Sequence, residues 1–409
     1  MGRRGQLIRP AGALAVLVLA AGCAGGGGAA GRATPAPSPP VAAATTPHAG
    51  HMTPTTPPSP APLRAGERFT TLTAARPYAP APPAGATDQY RCFLVDPGLN
   101  RRTFLTGSQF LPRNVGIVHH AIFYRVDPAD VAEAGRLDAG DPGDGWTCFG
   151  GTGIGGSAPG RRLDAGADWV AAWAPGGGEG LAPPGTGYAL EPGGRLAMQV
   201  HYNLLGARGG AGTATDQPGI RLRLMDGAAR LAPLRTTLLP APVELPCADG
   251  ESGALCDREA AVLDVMRRFG TQAGATVAGL TLLCSAAGRP VAGSVQRCDR
   301  TVREAGTIYA VAGHMHLLGS SIKVELNPGT PRARALLDVR TYDFHDQRAL
   351  PLPRPVTVRP GDRYRVTCTH DASRRRHLAE LRGVPPRYVV WGDGTTDEMC
   401  LGLVIGSGT

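Results

Sequence analysis

Six residues in this chain have the types and spacing to hold a redox-active metal. His314 and His316 stand two apart in AGHMHLLG, residues 312–319. At that spacing in a strand both rings leave the same face and can meet on one ion, and imidazole suits zinc, copper, iron or nickel alike. Two hydrogen-bonded surface histidines would give the same pattern. His119 and His120 are adjacent, so a regular strand would turn them to opposite faces. A shared ion would need a bulge or twist at that point. His201 lies in RLAMQVHYNLL, a lone histidine whose ordinary role is a solvated polar residue. Met399 sits in GDGTTDEMCLGLVIG between Glu398 and Cys400, an unusual setting for a residue that normally fills cores. Its thioether is a soft ligand that favours Cu(I), and with His314 and His316 it would complete a two-imidazole, one-thioether copper site.

The elements that must place these residues are mostly strands. In RLAMQVHYNLL, Leu196, Met198, Val200, Tyr202 and Leu204 alternate with Ala197, Gln199, His201 and Asn203. VGIVHHAIFYRV, GIRLRLM, VAGLTLLC, SIKVEL, RYRVTCTH, RYVVWG and LGLVI read as further strands, separated by Gly and Pro. Only REAAVLDVMRRFG, 258–270, looks helical. This pattern predicts an all-β protein with one β-sandwich per domain, joined near LRTTLLPAPVELP.

The N-terminus has the form of an export signal. MGRRGQLIRP is basic, and AGALAVLVLAAGC is a short apolar run ending in small residues before Cys23, a thiol placed for lipid attachment. The run is too short to span a membrane, which takes about 20 residues. Residues 24–86 are rich in Gly, Ala, Pro and Thr and predict a disordered linker. Within it, PHAGHM places His48, His51 and Met52, which could hold a soft metal loosely but more ordinarily do nothing specific. The expected organisation is a lipoprotein signal peptide over 1–23, the linker over 24–86, and two domains over 87–235 and 236–409.

Nine cysteines are present, and setting Cys23 aside leaves an even number in an exported chain, which argues for disulfides. No close C-x-x-C spacing supports a cysteine metal cluster. The net charge of +9 comes almost wholly from scattered arginine, with Lys323 the only lysine. With neither a basic stripe nor interleaved aromatics, a nucleic-acid partner is not expected.

HH at 119–120, QVHY at 199–202, HMH with LLG at 314–319, and TDEMC at 396–400 follow the order of the copper type II ascorbate-dependent monooxygenases. The chain resembles that family from about residue 87 to 405, beginning at TDQYRCFLVDPG and including GWTCFGG, WAPG and PPGTGY. The resemblance implies two tandem jelly-roll-like sandwiches, one copper on each, facing a solvent-filled cleft. It implies that His119, His120 and His201 bind an electron-supplying copper. His314, His316 and Met399 would be the catalytic set, binding the copper where dioxygen, the co-substrate, is activated. Ascorbate or another one-electron donor would supply the reducing equivalents. Gln199 would orient water or substrate or, more ordinarily, support a ligand by hydrogen bonding. The resemblance also implies bridges Cys92–Cys148 and Cys368–Cys400, while Cys247 with Cys256 and Cys284 with Cys298 are paired here by proximity alone.

Peptide-amidating members of the family grip a substrate carboxylate with an arginine, an asparagine and a tyrosine. The matching positions here are Ala312, Leu401 and Leu403, so that charge-assisted grip is lost. A small apolar or aromatic substrate is expected instead, hydroxylated at an activated C–H bond. Two other functions fit some of the same residues. One is a non-catalytic copper-binding or copper-buffering lipoprotein. The other is a zinc hydrolase built on His314 and His316, which would want a nearby carboxylate base. The flanks AVAG and LLGSS supply none, and Glu398 is expected to point away. His345, His370 and His377 have no partner motif and read as packed or solvated residues. The expected location is the outer face of a bacterial membrane, held by a lipid on Cys23.

Overall fold

The alternation in RLAMQVHYN produces the strand Arg195–Asn203. Leu196, Met198, Val200 and Tyr202 all point into one core with Phe93, Leu105, Phe123, Ile220, Leu222 and Leu224. The other face is buried as well: Gln199 is 2% exposed and His201 0%. It packs under a second cluster formed by Tyr90, Trp146, Ala197 and the disulfide Cys92–Cys148. The face that reads as polar in the sequence is therefore enclosed.

The computed structural model describes residues 57–82, 86–155, 169–174, 177–204 and 214–408, all within a unit spanning His48–Thr409. The signal peptide, Cys23, His48, His51 and Met52 lie outside the described residues.

The first half carries two sheets. One orders Trp146–Thr147, Asp88–Val95, Arg195–Asn203, Val118–Val126 and Trp169–Trp173. The other orders Glu67–Thr73, Gly219–Asp226, Thr103–Leu111, Thr186–Leu190 and Ala232–Pro233, with Gly180–Leu181 also on Thr103–Leu111. In the second half, one sheet orders Arg235–Pro240, Leu401–Ser407, Gly306–His314 and Leu350–Val358. Its partner orders Val295–Thr301, Arg363–His370, Gly319–Leu326 and Arg334–Val339. A short pair, Glu244–Leu245 with Val389–Val390, completes it. The architecture is all-β, as the strand pattern indicates.

Two sequence expectations are overturned. The linker does not run to residue 86: Glu67–Thr73 is an edge strand paired in full with Gly219–Asp226. The cause is Arg223, 1% exposed, which donates to Glu67 at 2.7 Å, to Glu179 at 2.8 Å, and to the carbonyls of Ala61 and Pro62. A buried guanidinium needs such partners, and the segment from Ala61 to Glu67 supplies them. The Pro-rich composition hid ERFTTLT, a strand.

VAGLTLLC is not a strand but the end of the helix Thr271–Cys284, which follows Arg258–Phe269 after Gly270 at φ +85°. Val277, Leu280 and Thr281 are its buried residues, a helical spacing that an unbroken apolar run does not reveal. A further helix, Val131–Gly140, was not anticipated.

Four disulfides are formed: Cys92–Cys148, Cys247–Cys256, Cys284–Cys298 and Cys368–Cys400. The first is reached by a tight approach at Gly145 (φ +75°), where a Cβ would lie 2.1 Å from the Cys92 carbonyl oxygen. Only glycine fits there.

Candidate metal centre

The strand Val118–Val126 pairs with Arg195–Asn203 with a register shift between Val118 and His120. The irregularity falls at His119, and it turns adjacent histidines toward one point. His119 Nδ1 lies 3.1 Å from His120 Nδ1 and 3.2 Å from His201 Nδ1, and the last pair is 3.4 Å apart. A circle through three atoms at those separations has a radius of about 1.9 Å, close to the ~2.0–2.1 Å of an imidazole–metal bond. The three form a group that could hold a metal ion.

The surroundings suit a cation. Asp88, at the start of Asp88–Val95 and opposite Asn203, accepts from His201 Nε2 at 2.8 Å. That bond puts the His201 proton on Nε2 and leaves Nδ1 a bare lone pair facing the other two rings. Burial works to raise the Asp88 pKa, but hydrogen bonds from His201, Thr395 and Asn203 outweigh it and hold the carboxyl below its usual range. Burial, then neighbouring imidazoles, push His119 and His120 well below the ordinary histidine value, so both are neutral near pH 7. Tyr90 stacks on His201 at 4.1 Å between ring centroids and 12° between planes.

Gln199 does not join this cluster. Its amide donates to the Cys148 carbonyl at 2.7 Å and its oxygen accepts from Tyr124. It fastens the disulfide-bearing segment to the strand, two residues short of the ring it was expected to support.

The second group is built on a strand end. Gly306–His314 closes at His314, and His316 lies past it in a turn, so the two do not share one strand as expected. The rings still come together, at 5.2 Å between centroids and 84° between planes. Gly313 and Gly402 are opposite each other, and a Cβ on them would lie 2.7 Å from Ile322 and 3.0 Å from Val324 in the facing sheet. The alternate positions Ala312, His314, Leu401 and Leu403, themselves paired, therefore share the face turned away from that sheet. His314 rises from an apolar floor of Ala312, Leu401 and Leu403.

In both rings Nδ1 is occupied. His314 Nδ1 meets Gln347 Oε1, and His316 Nδ1 lies 3.2 Å from the Asp397 carbonyl oxygen. His316 Nε2 is buried with no hydrogen-bond partner among the described residues, a costly state that a metal would relieve. Burial, then the neighbouring His316, push the His314 pKa down to about 3. Met399 lies two residues before Leu401–Ser407 and is partly buried against the second-half core, beside Cys400 and its bridge to Cys368.

Glu398, 0% exposed, turns its carboxylate onto backbone: His316 N at 2.9 Å, Leu318 N at 2.5 Å and Met399 N at 3.2 Å. It braces the turn and is spent there, so it is not placed as a hydrolytic base. His370 is packed as expected, with Nε2 3.3 Å from the Met399 carbonyl and 3.4 Å from Glu398.

The two groups adjoin instead of facing each other across a solvent-filled cleft. His120 and His314 are 5.8 Å apart between ring centroids. Phe344 stacks on His119 at 4.6 Å and lies 6.4 Å from His316. Gln347, on the same loop as Phe344, contacts His314, and Tyr90 donates to the Asp393 carbonyl at 2.7 Å, a further contact between the two halves. Asp88, Tyr90, Phe344, Gln347 and Thr395 were not anticipated from sequence. The only signal was proximity, since Asp88 and Tyr90 sit in TDQYRC and Thr395 in TTDEMC.

No curated protein matches the chain. Among solved structures, the infectious bursal disease virus VP2 subviral particle aligns at 11% identity over 84% of this chain and 72% of that chain, with a TM-score of 0.17. A Paenibacillus xanthan lyase aligns at 12% identity over 86% and 27%, with a TM-score of 0.18. Likenesses of that size carry no argument. Residues 293–405, which hold His314, His316 and Met399, match the model described as Copper type II ascorbate-dependent monooxygenase, C-terminal domain.

Proposed function

We propose that this protein is a copper-dependent monooxygenase that hydroxylates an activated C–H bond of a small apolar or aromatic substrate, using dioxygen and an external one-electron donor such as ascorbate. The observation that carries it is the convergence of three Nδ1 atoms, 3.1–3.4 Å apart, beside a second pair of neutral histidines. His119, His120 and His201 would hold one copper, and His314, His316 and Met399 the other. When bound, copper supplies one-electron exchange and the activation of dioxygen.

The protein's own residues prepare the donors. Asp88 fixes the His201 proton on Nε2, while Gln347 and the Asp397 carbonyl fix those of His314 and His316 on Nδ1. The first group thus offers Nδ1 and the second Nε2. Burial keeps His119, His120, His314 and His316 unprotonated, ready as lone-pair donors. The floor of Ala312, Leu401 and Leu403, with Phe344 stacked on the neighbouring His119, favours an apolar or aromatic group near His314 and provides no cation for a carboxylate.

The reading extends to placement. Cys23 would carry a lipid at the outer membrane face, with a segment after it leading to two domains that meet near residue 235.

Oxygen uptake by the copper-reconstituted full chain with ascorbate tests the activity, over a panel of phenethylamines, alkyl aromatics and glycine-extended peptides. Uptake that depends on an aromatic substrate and disappears in Met399→Ala is expected. Two coppers bound without uptake over the whole panel would favour a copper-binding protein, and rapid turnover of a glycine-extended peptide would overturn the substrate reading.

A further inference from the structure

One oxygen, Asp88 Oδ1, accepts three hydrogen bonds: from His201 Nε2 at 2.8 Å, from Asn203 Nδ2 at 2.8 Å and from Thr395 Oγ1 at 2.7 Å. Thr395 is 4% exposed and its hydroxyl is used in both directions, since it also accepts from Asn203 Nδ2 at 3.0 Å. His201 and Asn203 belong to the first half. Thr395 belongs to the loop that leads into Met399.

That loop is tight and leaves little freedom for independent movement. Asp397 N donates to the Gly394 carbonyl at 2.8 Å, and Gly392 N to the Glu398 carbonyl at 3.1 Å. Arg268 clamps the Asp397 carboxylate through two bonds, at 2.7 and 2.6 Å. A Cβ on Gly392 would lie 2.8 Å from Asp397 Cβ, so the turn closes on itself. Two residues after Thr395, the Asp397 carbonyl faces His316 Nδ1, and the next residue, Glu398, holds the backbone of both His316 and Met399. The loop carrying these contacts is thereby tied to the ring of His201.

We infer that Asp88 and Thr395 are positioning residues for the second metal site: the Thr395 hydroxyl docks the loop of Asp397, Glu398 and Met399 onto the carboxylate that orients His201. The inference rests on the two-copper reading above. Docking sets where the Asp397 carbonyl meets His316, and so which way His316 Nε2 is aimed. Supporting hydrogen bonds of this kind typically change metal affinity by about 10- to 100-fold when lost. The first site keeps its own bond from His201 to Asp88 when Thr395 changes, so the effect falls on the second.

Thr395→Val removes the hydroxyl at nearly constant volume, and Thr395→Ser retains it. Cu(I) affinity, measured by competition with a chromophoric chelator, reads the second site alone in a His119→Ala background and the first alone in a Met399→Ala background. Thr395→Val is expected to weaken the second site about 10-fold or more, leave the first within about two-fold, and be rescued by Thr395→Ser. An unchanged second site in folded Thr395→Val, or equal losses at both sites without rescue by serine, would overturn the inference. A parent chain that binds no copper would instead remove the reading on which it rests.

Discussion

The backbone N–H groups of His316 and Met399 both donate to the same oxygen of Glu398, at 2.9 and 3.2 Å. The other oxygen takes Leu318 N at 2.5 Å. Residues some eighty positions apart are thus registered by one buried carboxylate. Glu398→Gln would turn an amide NH2 toward backbone donors, leaving a buried group unpaired at a cost of about 1–3 kcal/mol. The expected outcome is a lower melting temperature and about 10-fold weaker Cu(I) binding at the second site, read by thermal denaturation and chelator competition. Unchanged copper affinity would show that the turn holds without Glu398.

Cys368–Cys400 sits one residue from Met399. Replacing both cysteines by serine is expected to cost about 2–5 kcal/mol of stability. It should also weaken copper at the Met399 site more than at the three-histidine site. Denaturant unfolding and site-resolved titration check the two parts separately.

Phe344 lies over His119 and beside His316, where a substrate approaching both groups would meet it. Phe344→Ala removes an aromatic wall and opens room. The expected result is a several-fold higher KM for small aromatic substrates and better acceptance of larger ones, with copper content unchanged. Steady-state kinetics over a size series decides it, and an unchanged size preference would place substrate elsewhere.

A pH effect on folding follows from Glu67. Burial works to raise its pKa, but hydrogen bonds from Arg223 and Thr106 hold it below the ordinary value. A carboxylate lowered in the folded state adds stability above its unfolded pKa, and that stability is lost as pH falls through the folded value. The metal-free protein should therefore lose stability below about pH 4.3, the ordinary glutamate value. Glu67→Gln should flatten that part of the profile and cost about 3–5 kcal/mol at neutral pH, because Arg223 stays buried with a partner removed. Melting temperatures of the two proteins from pH 3 to 7 test this.

Much of the architecture was legible because alternation is a local signal: Leu196, Met198, Val200 and Tyr202 enter the core as their spacing requires. The strand Glu67–Thr73 was obscured because its partner, Arg223, lies far along the chain, and composition averages over such pairs. The histidine cluster was legible as a condition, that a bulge must occur near His119, and the register shift meets it. Which groups fix the ring protons was not legible. Asp88, Gln347 and the Asp397 carbonyl reach their histidines only through sheet pairing and loop closure. Gln199 failed for a related reason: sharing a strand face with His201 says nothing about which neighbour claims its amide.

The register shift beside His119 also determines how the site can be lost. Strand parity, not side-chain identity, is what lets two consecutive histidines turn the same way. Deleting one residue there would restore regular alternation and aim one imidazole at the opposite face, although both histidines remained in the sequence. A survey of point substitutions would find the ligands and miss this dependence. Single-residue insertions and deletions along Val118–Val126 would expose it, as an abrupt loss of copper confined to the few positions around the bulge.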